Sequence, residues 1–364
     1  MPTLFTPVRL GDLAFDNRIA MAPVTRARTG RDGVPGRLAA TYYAQRASAG
    51  LIVTEATNVS PYSAAFELAP GIFTEAQVAG WKAVTEAVHA AGGTMFMQLW
   101  HSGRVSSYAL LQGAAPLSPS GVNDDLEKLQ VYAALENGQY TRIAASPSRA
   151  MRITEIHAAI EEFRVAAKHA ARAGLDGIEI HAANGYLPQQ FLSQHVNRRT
   201  DEFGGSMANR ARFLRLVIEA VLETFPAHRV GVRISPYAQY NNAPNTDAGA
   251  TYRYVAAMLQ QFGIGYVHVA DTNAWGGAPD MHKLVPLVRA HYQGVLVANG
   301  GLAPDEAQRM VADGRADMVA FGRQFIANPD LPARIAAGGP YNEPDMFTFY
   351  GGAARGYTDY PALA

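Results

Sequence analysis

The chain has 364 residues, 48% of them hydrophobic and 17% charged, and its 31 Lys plus Arg balance 31 Asp plus Glu. That apolar fraction is enough for a large core and argues against disorder and low complexity, while zero net charge gives no global attraction for nucleic acid or anionic lipid. The absence of Cys excludes disulfides, thiolate nucleophiles, and Cys-ligated zinc or iron–sulfur clusters. Met1–Pro7 has neither a basic n-region nor an apolar h-region, and nothing approaches the roughly 18 uninterrupted apolar residues of a membrane span. The expectation is a soluble cytoplasmic protein.

Taken in chain order, apolar or β-branched runs at Ile19–Val24, Leu51–Ala56, Thr94–Trp100, Gly177–His181, Val230–Ser235, Tyr266–Ala270, Val295–Asn299 and Met318–Gly322 read as strands. Helical patterns lie between them, at Gln77–Ala91, Glu155–Ala173, Ala208–Thr224, Ala250–Phe262 and Asp305–Ala312, and glycines follow several helix ends. Eight strands with intervening helices predict an α/β fold, a single (β/α)8 TIM barrel spanning 1–364. A doubly wound sheet ranks second, because no Gly-x-Gly-x-x-Gly follows the first strand. One connection is too long. About fifty residues separate the third strand from its helix, against about 2–6 for an ordinary βα loop. This excursion, residues 103–153, carries Ser118-Pro119-Ser120, Asn137-Gly138 and Ser146-Pro147-Ser148, all turn chemistry. It leaves from the catalytic face of a barrel and is read as a cap or lid, the alternative being a decorative insertion.

Alternation of side chains along each strand turns Glu179 and His181 inward when Ile178 and Ile180 face the helices. By the same parity Arg233, His268 and Gln98 point into the lumen, Gln98 on one face with Phe96 and Trp100. Barrel interiors are normally apolar, and buried polar groups need partners. Glu179 and His268 are read as a self-satisfied polar core, Glu179 pairing Arg233 or another lumen donor. Gln98, His181 and Arg233, near the strand C-termini, are read as ligand contacts.

The seventh strand ends in Asn299-Gly300-Gly301 and the eighth in Phe321-Gly322-Arg323. Loops in those two places commonly hold a phosphate, with Gly permitting close backbone approach and Arg supplying charge. A phosphorylated ligand above an inward Gln and Arg suggests a flavin mononucleotide, whose pyrimidine edge suits Gln98 and whose reduced N1 suits Arg233. After the fourth strand, His181 and Asn184 offer donors to one acceptor oxygen. Tyr186 adds a phenol with a reference pKa of about 10, able to protonate a developing carbanion; alone it would be read as a rim aromatic. No His-Glu-x-x-His cluster or Gly-x-Ser-x-Gly occurs, so no metal site and no serine nucleophile is expected.

Further stretches carry a resemblance. They are Asn17-Arg18-Ile19, Met21-Ala22-Pro23-Val24-Thr25-Arg26, Tyr43 to Ile52, Gln98-Leu99-Trp100-His101-Ser102-Gly103-Arg104, His181 to Leu187, Arg198 to Ser206, and Gly356 to Pro361. From Leu4 to Pro361 the chain resembles the old yellow enzyme family, and within it the bacterial N-ethylmaleimide, pentaerythritol tetranitrate and glycerol trinitrate reductases. The resemblance implies non-covalent FMN, reduced by NADPH or NADH, in a ping-pong cycle that passes hydride from N5 to the β-carbon of an electron-poor alkene. It implies flavin contacts at Pro23, Thr25 (near O4), Ala56, Gln98 and Arg233, and a phosphate cradle at Gly300, Gly301, Gly322 and Arg323. His181 and Asn184 would hold the substrate oxygen and Tyr186 would donate the proton. Trp100, Trp275 and Tyr350 would line the substrate pocket, with Arg104 and Arg142 as candidates for nicotinamide contacts. Enones, maleimides, nitroalkenes and nitrate esters would suit such a site in a monomer or weak homodimer, without nucleic-acid or membrane partners. Two rivals remain: a dihydrouridine synthase-like FMN barrel acting on nucleic acid, disfavoured by zero Cys and zero net charge, and a non-catalytic flavin-binding protein.

Overall fold

The computed structural model describes residues 1–136, 139–272 and 280–363. Eight parallel strands close into a barrel: β1 (Ile19–Met21), β2 (Leu51–Val53), β3 (Met95–Trp100), β4 (Gly177–Ala182), β5 (Val230–Ile234), β6 (Tyr266–Ala270), β7 (Val295–Asn299) and β8 (Met318–Phe321). Each pairs with its successor, and β8 closes on β1 through Ala320 opposite Ala20. Several strands are shorter than the apolar runs that announce them. Residues 22–27 and 54–56 leave the sheet, which frees their backbone to shape the barrel mouth.

Helices surround the barrel: α1 (Arg37–Ala44), α2 (Glu75–Ala90), α3 (Ile153–Arg172), α4 (Met207–Leu222), α5 (Ala248–Phe262), α6 (Met281–Arg289) and α7 (Pro304–Ala312). The periodicity of α2 begins at Gln77, but the helix begins at Glu75. Thr74 and Gln77 form a capping box there, satisfying two orphan donors at once. No helix among the described residues is long and apolar enough to cross a membrane.

The strand parity holds throughout. Ile178, Ile180, Val230, Val232, Val267 and Val269 pack outward under the helices, while Phe96, Tyr266, Val297 and Met318 fill the lumen. At the N-terminal end of the strands a hairpin, Val8–Leu10 paired with Leu13–Phe15, seats Leu10 and Phe15 on that lumen layer. Full burial of a side chain of this kind stabilises the fold by about 1.5–3 kcal/mol.

At the opposite end, residues 101–152 run between β3 and α3. They contain the paired segments Leu117–Ser118 and Arg149–Ala150, and a hairpin of Val131–Ala134 with Tyr140–Ile143. Asn137 and Gly138, between its arms, lie outside the described residues. Arg104 locks the excursion down: its guanidinium makes a bidentate pair with Asp125 at 2.7 and 2.7 Å and donates to the Asn242 carbonyl at 2.9 Å.

Candidate active site

A cavity opens at the C-terminal end of the barrel strands. Its floor and walls come from loops far apart in sequence, each held by identifiable contacts. Pro23 and Thr25 follow β1, and their loop is fixed by buried Glu55, whose carboxylate accepts from the Arg26 and Ala27 backbone N–H groups at 2.9 Å each. Arg26 in turn donates to the carbonyls of Phe349 (3.0 Å) and Gly356 (2.7 Å), drawing the C-terminal tail across. Phe349 and Tyr350 thereby join the wall.

From the lumen, Gln98, Arg233 and Asn299 reach the cavity. Arg233 donates to Asn299 Oδ1 at 2.7 Å, and Asn299 Nδ2 donates to the Ala320 carbonyl at 2.8 Å. Arg233 Nε is buried without a protein partner. Glu179 does not bond to Arg233; Gln98, Tyr266 and His268 serve it instead. Gly231 makes this possible, since a Cβ there would lie 2.1 Å from the Tyr266 ring.

His181 ends the lumen-facing run of β4, and the chain then turns sharply. Asn184 and Gly185 have φ of +60° and +73°. A Cβ at 185 would meet the Tyr240 carbonyl at 2.7 Å, so only glycine suits the position. Ser235 Oγ accepts from Asn184 N–H, and Gln189 accepts from Gly185 N–H, both at 2.9 Å. The turn places Tyr186 at the head of a short helix with its ring edge-on to His181, centroids 5.0 Å apart. All three residues border the cavity. His181 Nδ1 and Asn184 Oδ1 are buried without a protein partner. Native interiors seldom leave such atoms orphaned, so this wall awaits a ligand.

Electrostatics agree with that reading. Burial, aided by the nearby Arg233 charge, holds the His181 imidazole far below its ordinary value. Burial, with Tyr350 beside it, pushes the Tyr186 phenol up. At neutral pH the first is a neutral donor and the second a protonated acid.

Ala56, Gly300, Gly301, Gly322 and Arg323 line the same cavity, the last four at the ends of β7 and β8. Of the residues assigned from sequence to catalysis, flavin or the substrate pocket, the cavity thus gathers all but Trp100 and Trp275. Trp100 is fully buried one layer back, edge-on behind Tyr186 with centroids 5.1 Å apart. Trp275 lies outside the described residues. The two arginines considered for nicotinamide are otherwise engaged. Arg104 is the buried clamp described above, and Arg142 donates to the carbonyls of Glu127 and Leu129. The wall also includes Phe66, Tyr240, Asp271, Thr272, Ile326 and Phe349. Apart from Ile326, on the short helix Arg323–Ala327, they lie in segments with no strand or helix period that would reveal them. Phe66 stacks on Tyr132 of the excursion at 4.9 Å, and Tyr140 on Tyr350 at 5.5 Å, joining excursion, β2 loop and tail in one aromatic cluster.

An FMN fits this donor set. Two glycine-containing loops and Arg323 suit a phosphate, while Gln98 and the unpartnered Arg233 Nε suit a flavin ring.

Comparison with known proteins gives a consistent answer. The NADH:flavin oxidoreductase / NADH oxidase family model matches residues 3–342. The chain is 40% identical over 369 residues to 12-oxophytodienoate reductase 1 of Oryza sativa subsp. japonica, covering 99% of this chain and 93% of that one. Among solved structures it is similar to morphinone reductase in complex with tetrahydroNAD, at 46% identity and a TM-score of 0.94 over 100% of this chain and 98% of the other. The old yellow enzyme homologue from Zymomonas mobilis superposes with a TM-score of 0.92 at 39% identity, with both chains fully covered. The chain belongs to the NADH:flavin oxidoreductase / NADH oxidase family, the old yellow enzymes, and is a flavin-dependent oxidoreductase with FMN as its cofactor and a nicotinamide nucleotide as its reductant.

Proposed function

We propose that the protein is an ene-reductase, moving two electrons from NADH or NADPH to an electron-poor alkene. The observation that carries this reading is the convergence of His181, Asn184 and Tyr186 on one cavity wall, with the buried His181 Nδ1 satisfied by no protein group. When bound, FMN supplies a hydride relay between nicotinamide and alkene. The chain supplies everything else. The loops at Gly300, Gly301, Gly322 and Arg323 hold the phosphate. Pro23, Thr25, Ala56, Gln98 and Arg233 hold the ring, the guanidinium favouring negative charge on its reduced form.

His181 and Asn184 bind the substrate's carbonyl or nitro oxygen through N–H groups. Because the imidazole is neutral, it polarises that oxygen without giving up its proton. Electron density withdrawn toward the oxygen leaves the β-carbon open to hydride. Tyr186 holds a proton at its hydroxyl and releases it to the α-carbon. Enones, maleimides and nitroalkenes share the required oxygen handle and polarised double bond, and nitrate esters share the handle. Tyr350 and the aromatic cluster screen the site from water. A relative binding tetrahydroNAD supports NADH as one reductant. The reading extends to one FMN-binding domain, residues 103–153 its cap, acting in the cytoplasm on small molecules as a monomer or weak homodimer.

Anaerobic stopped-flow mixing with each nicotinamide, followed by reoxidation with alkenes and nitro compounds, tests it. Tyr186→Phe slows reoxidation by an enone about 10²–10⁴-fold while flavin bleaching by the nicotinamide stays nearly as fast. Equal loss in both half-reactions would remove Tyr186 from its role. A flavin that never bleaches would leave only a flavin-binding protein.

A further inference from the structure

The lumen beneath the cavity holds a carboxylate that none of these roles uses. Glu179 on β4 is the register partner of Gln98 on β3 and is fully buried. An ionised carboxylate only accepts hydrogen bonds, so its neighbours must all donate. Oε1 accepts from Gln98 Nε2 at 2.7 Å, and Oε2 from the Tyr266 hydroxyl at 3.0 Å and His268 Nδ1 at 2.8 Å. Burial alone would push Glu179 up, but His268, Arg233 and the bond from Gln98 outweigh it and keep the carboxyl ionised. Burial keeps His268 neutral, so its proton sits on Nδ1.

Two consequences follow for the cavity. An amide's oxygen and nitrogen are ordinarily interchangeable by a flip, but an acceptor-only neighbour removes that freedom. With Nε2 held against Glu179, the Gln98 oxygen is fixed on the other side of the amide as the acceptor offered to the ligand, and it demands a donor. The isoalloxazine's pyrimidine edge carries one at N3–H. The second consequence concerns charge. Arg233 bonds to the neutral amide of Asn299, so Glu179 offsets its positive field across the lumen without touching it. Such offsets are strong where water is excluded.

We propose that Glu179 is a positioning residue for the flavin: it locks the Gln98 amide with its oxygen toward the ring and, through its charge, holds down the reduction potential. This rests on FMN being the cofactor. Should the unaltered protein fail to bind FMN, that assignment falls and not merely this one.

The test uses FMN titration into apoprotein and potentiometric titration of the holoprotein. Glu179→Gln replaces the acceptor with a group that can also donate, letting Gln98 turn over. The FMN dissociation constant rises about tenfold, the loss of one hydrogen bond between the Gln98 amide oxygen and the ring, and the reduction potential rises because Arg233 is no longer offset. In a Gln98→Ala background, Glu179→Gln has no further effect on FMN affinity but still raises the potential. The same loss of affinity in both backgrounds, with an unmoved potential, would make Glu179 a strut of the lumen and overturn the proposal. If Glu179→Gln does not fold, nitrogen-15 NMR of FMN labelled at N3 decides instead. The N3 resonance of the unaltered holoprotein lies downfield of that in Gln98→Ala; identical resonances overturn the proposal.

Discussion

The two ends of the barrel obey the same strand alternation and reach opposite results. At the N-terminal end, Leu10 and Phe15 of the hairpin close over Phe96, Tyr266, Val297 and Met318, an apolar plug. At the C-terminal end the inward positions are Gln98, His181, Arg233 and Asn299, and atoms of His181, Asn184 and Arg233 stay without protein partners. Hydrophobic burial is spent at one end to hold the barrel shut, so the other end can tolerate polar groups aimed at something absent from the polypeptide. Stability and function are therefore separable along the barrel axis.

The sharpest way to break that comparison is at the plug. Phe15→Ala costs about 3–5 kcal/mol of stability, read by denaturant unfolding, with both half-reactions unchanged on folded protein. A parallel loss of alkene turnover would mean the two ends are coupled. At the other end, His181→Ala lowers alkene kcat/KM about 10²–10³-fold without lowering the thermal midpoint, because it removes a group whose burial is uncompensated. A midpoint falling as far as in Phe15→Ala would contradict the separation.

The smallest effect concerns a pair outside both ends. His101 Nε2 faces Glu162 on α3 at 3.8 Å. Burial pushes the Glu162 carboxyl up to about 7 from 4.5 and the His101 imidazole down to about 4 from 6.5. A raised carboxyl is stabilising only while protonated: its contribution is full below 4.5 and lost as pH rises through about 7. The lowered imidazole acts oppositely, contributing fully above 6.5 and failing as pH falls through about 4. Glu162 is 30% exposed, so solvent reduces the effect. Glu162→Gln raises the thermal midpoint by about 1–2 °C well above neutral pH and leaves it unchanged near pH 4.5; a gain of equal size at both values would rule out the titration of Glu162 as its cause.

Period-2 alternation made the lumen legible. It identified Gln98, Glu179, His181, Arg233 and His268 as inward, and the ordinal places of Gly300–Gly301 and Gly322–Arg323 marked the loops that line the cavity. Partnership was less legible than direction. Glu179 is open to Arg233 in the sequence, but Gly231 clears space for Tyr266 to reach it, an effect of a missing side chain on the strand between the two. Arg104 and Arg142 show the same limit: their positive charge was visible, their engagement with Asp125 and with backbone carbonyls was not. Phe66, Tyr240 and Phe349 sit in irregular segments, where no repeat distinguishes a wall from a surface.

Arg26 has one further consequence. It belongs to the first strand's loop, yet its guanidinium grips the carbonyls of Phe349 and Gly356, while β8 is the strand that shuts against β1. The chamber is thus bounded by segments 323 and 330 positions apart along the polypeptide. A ribosome that has already made Arg26 carries an unfinished vessel, and one whole side of it is missing until Phe349 and Gly356 have been added.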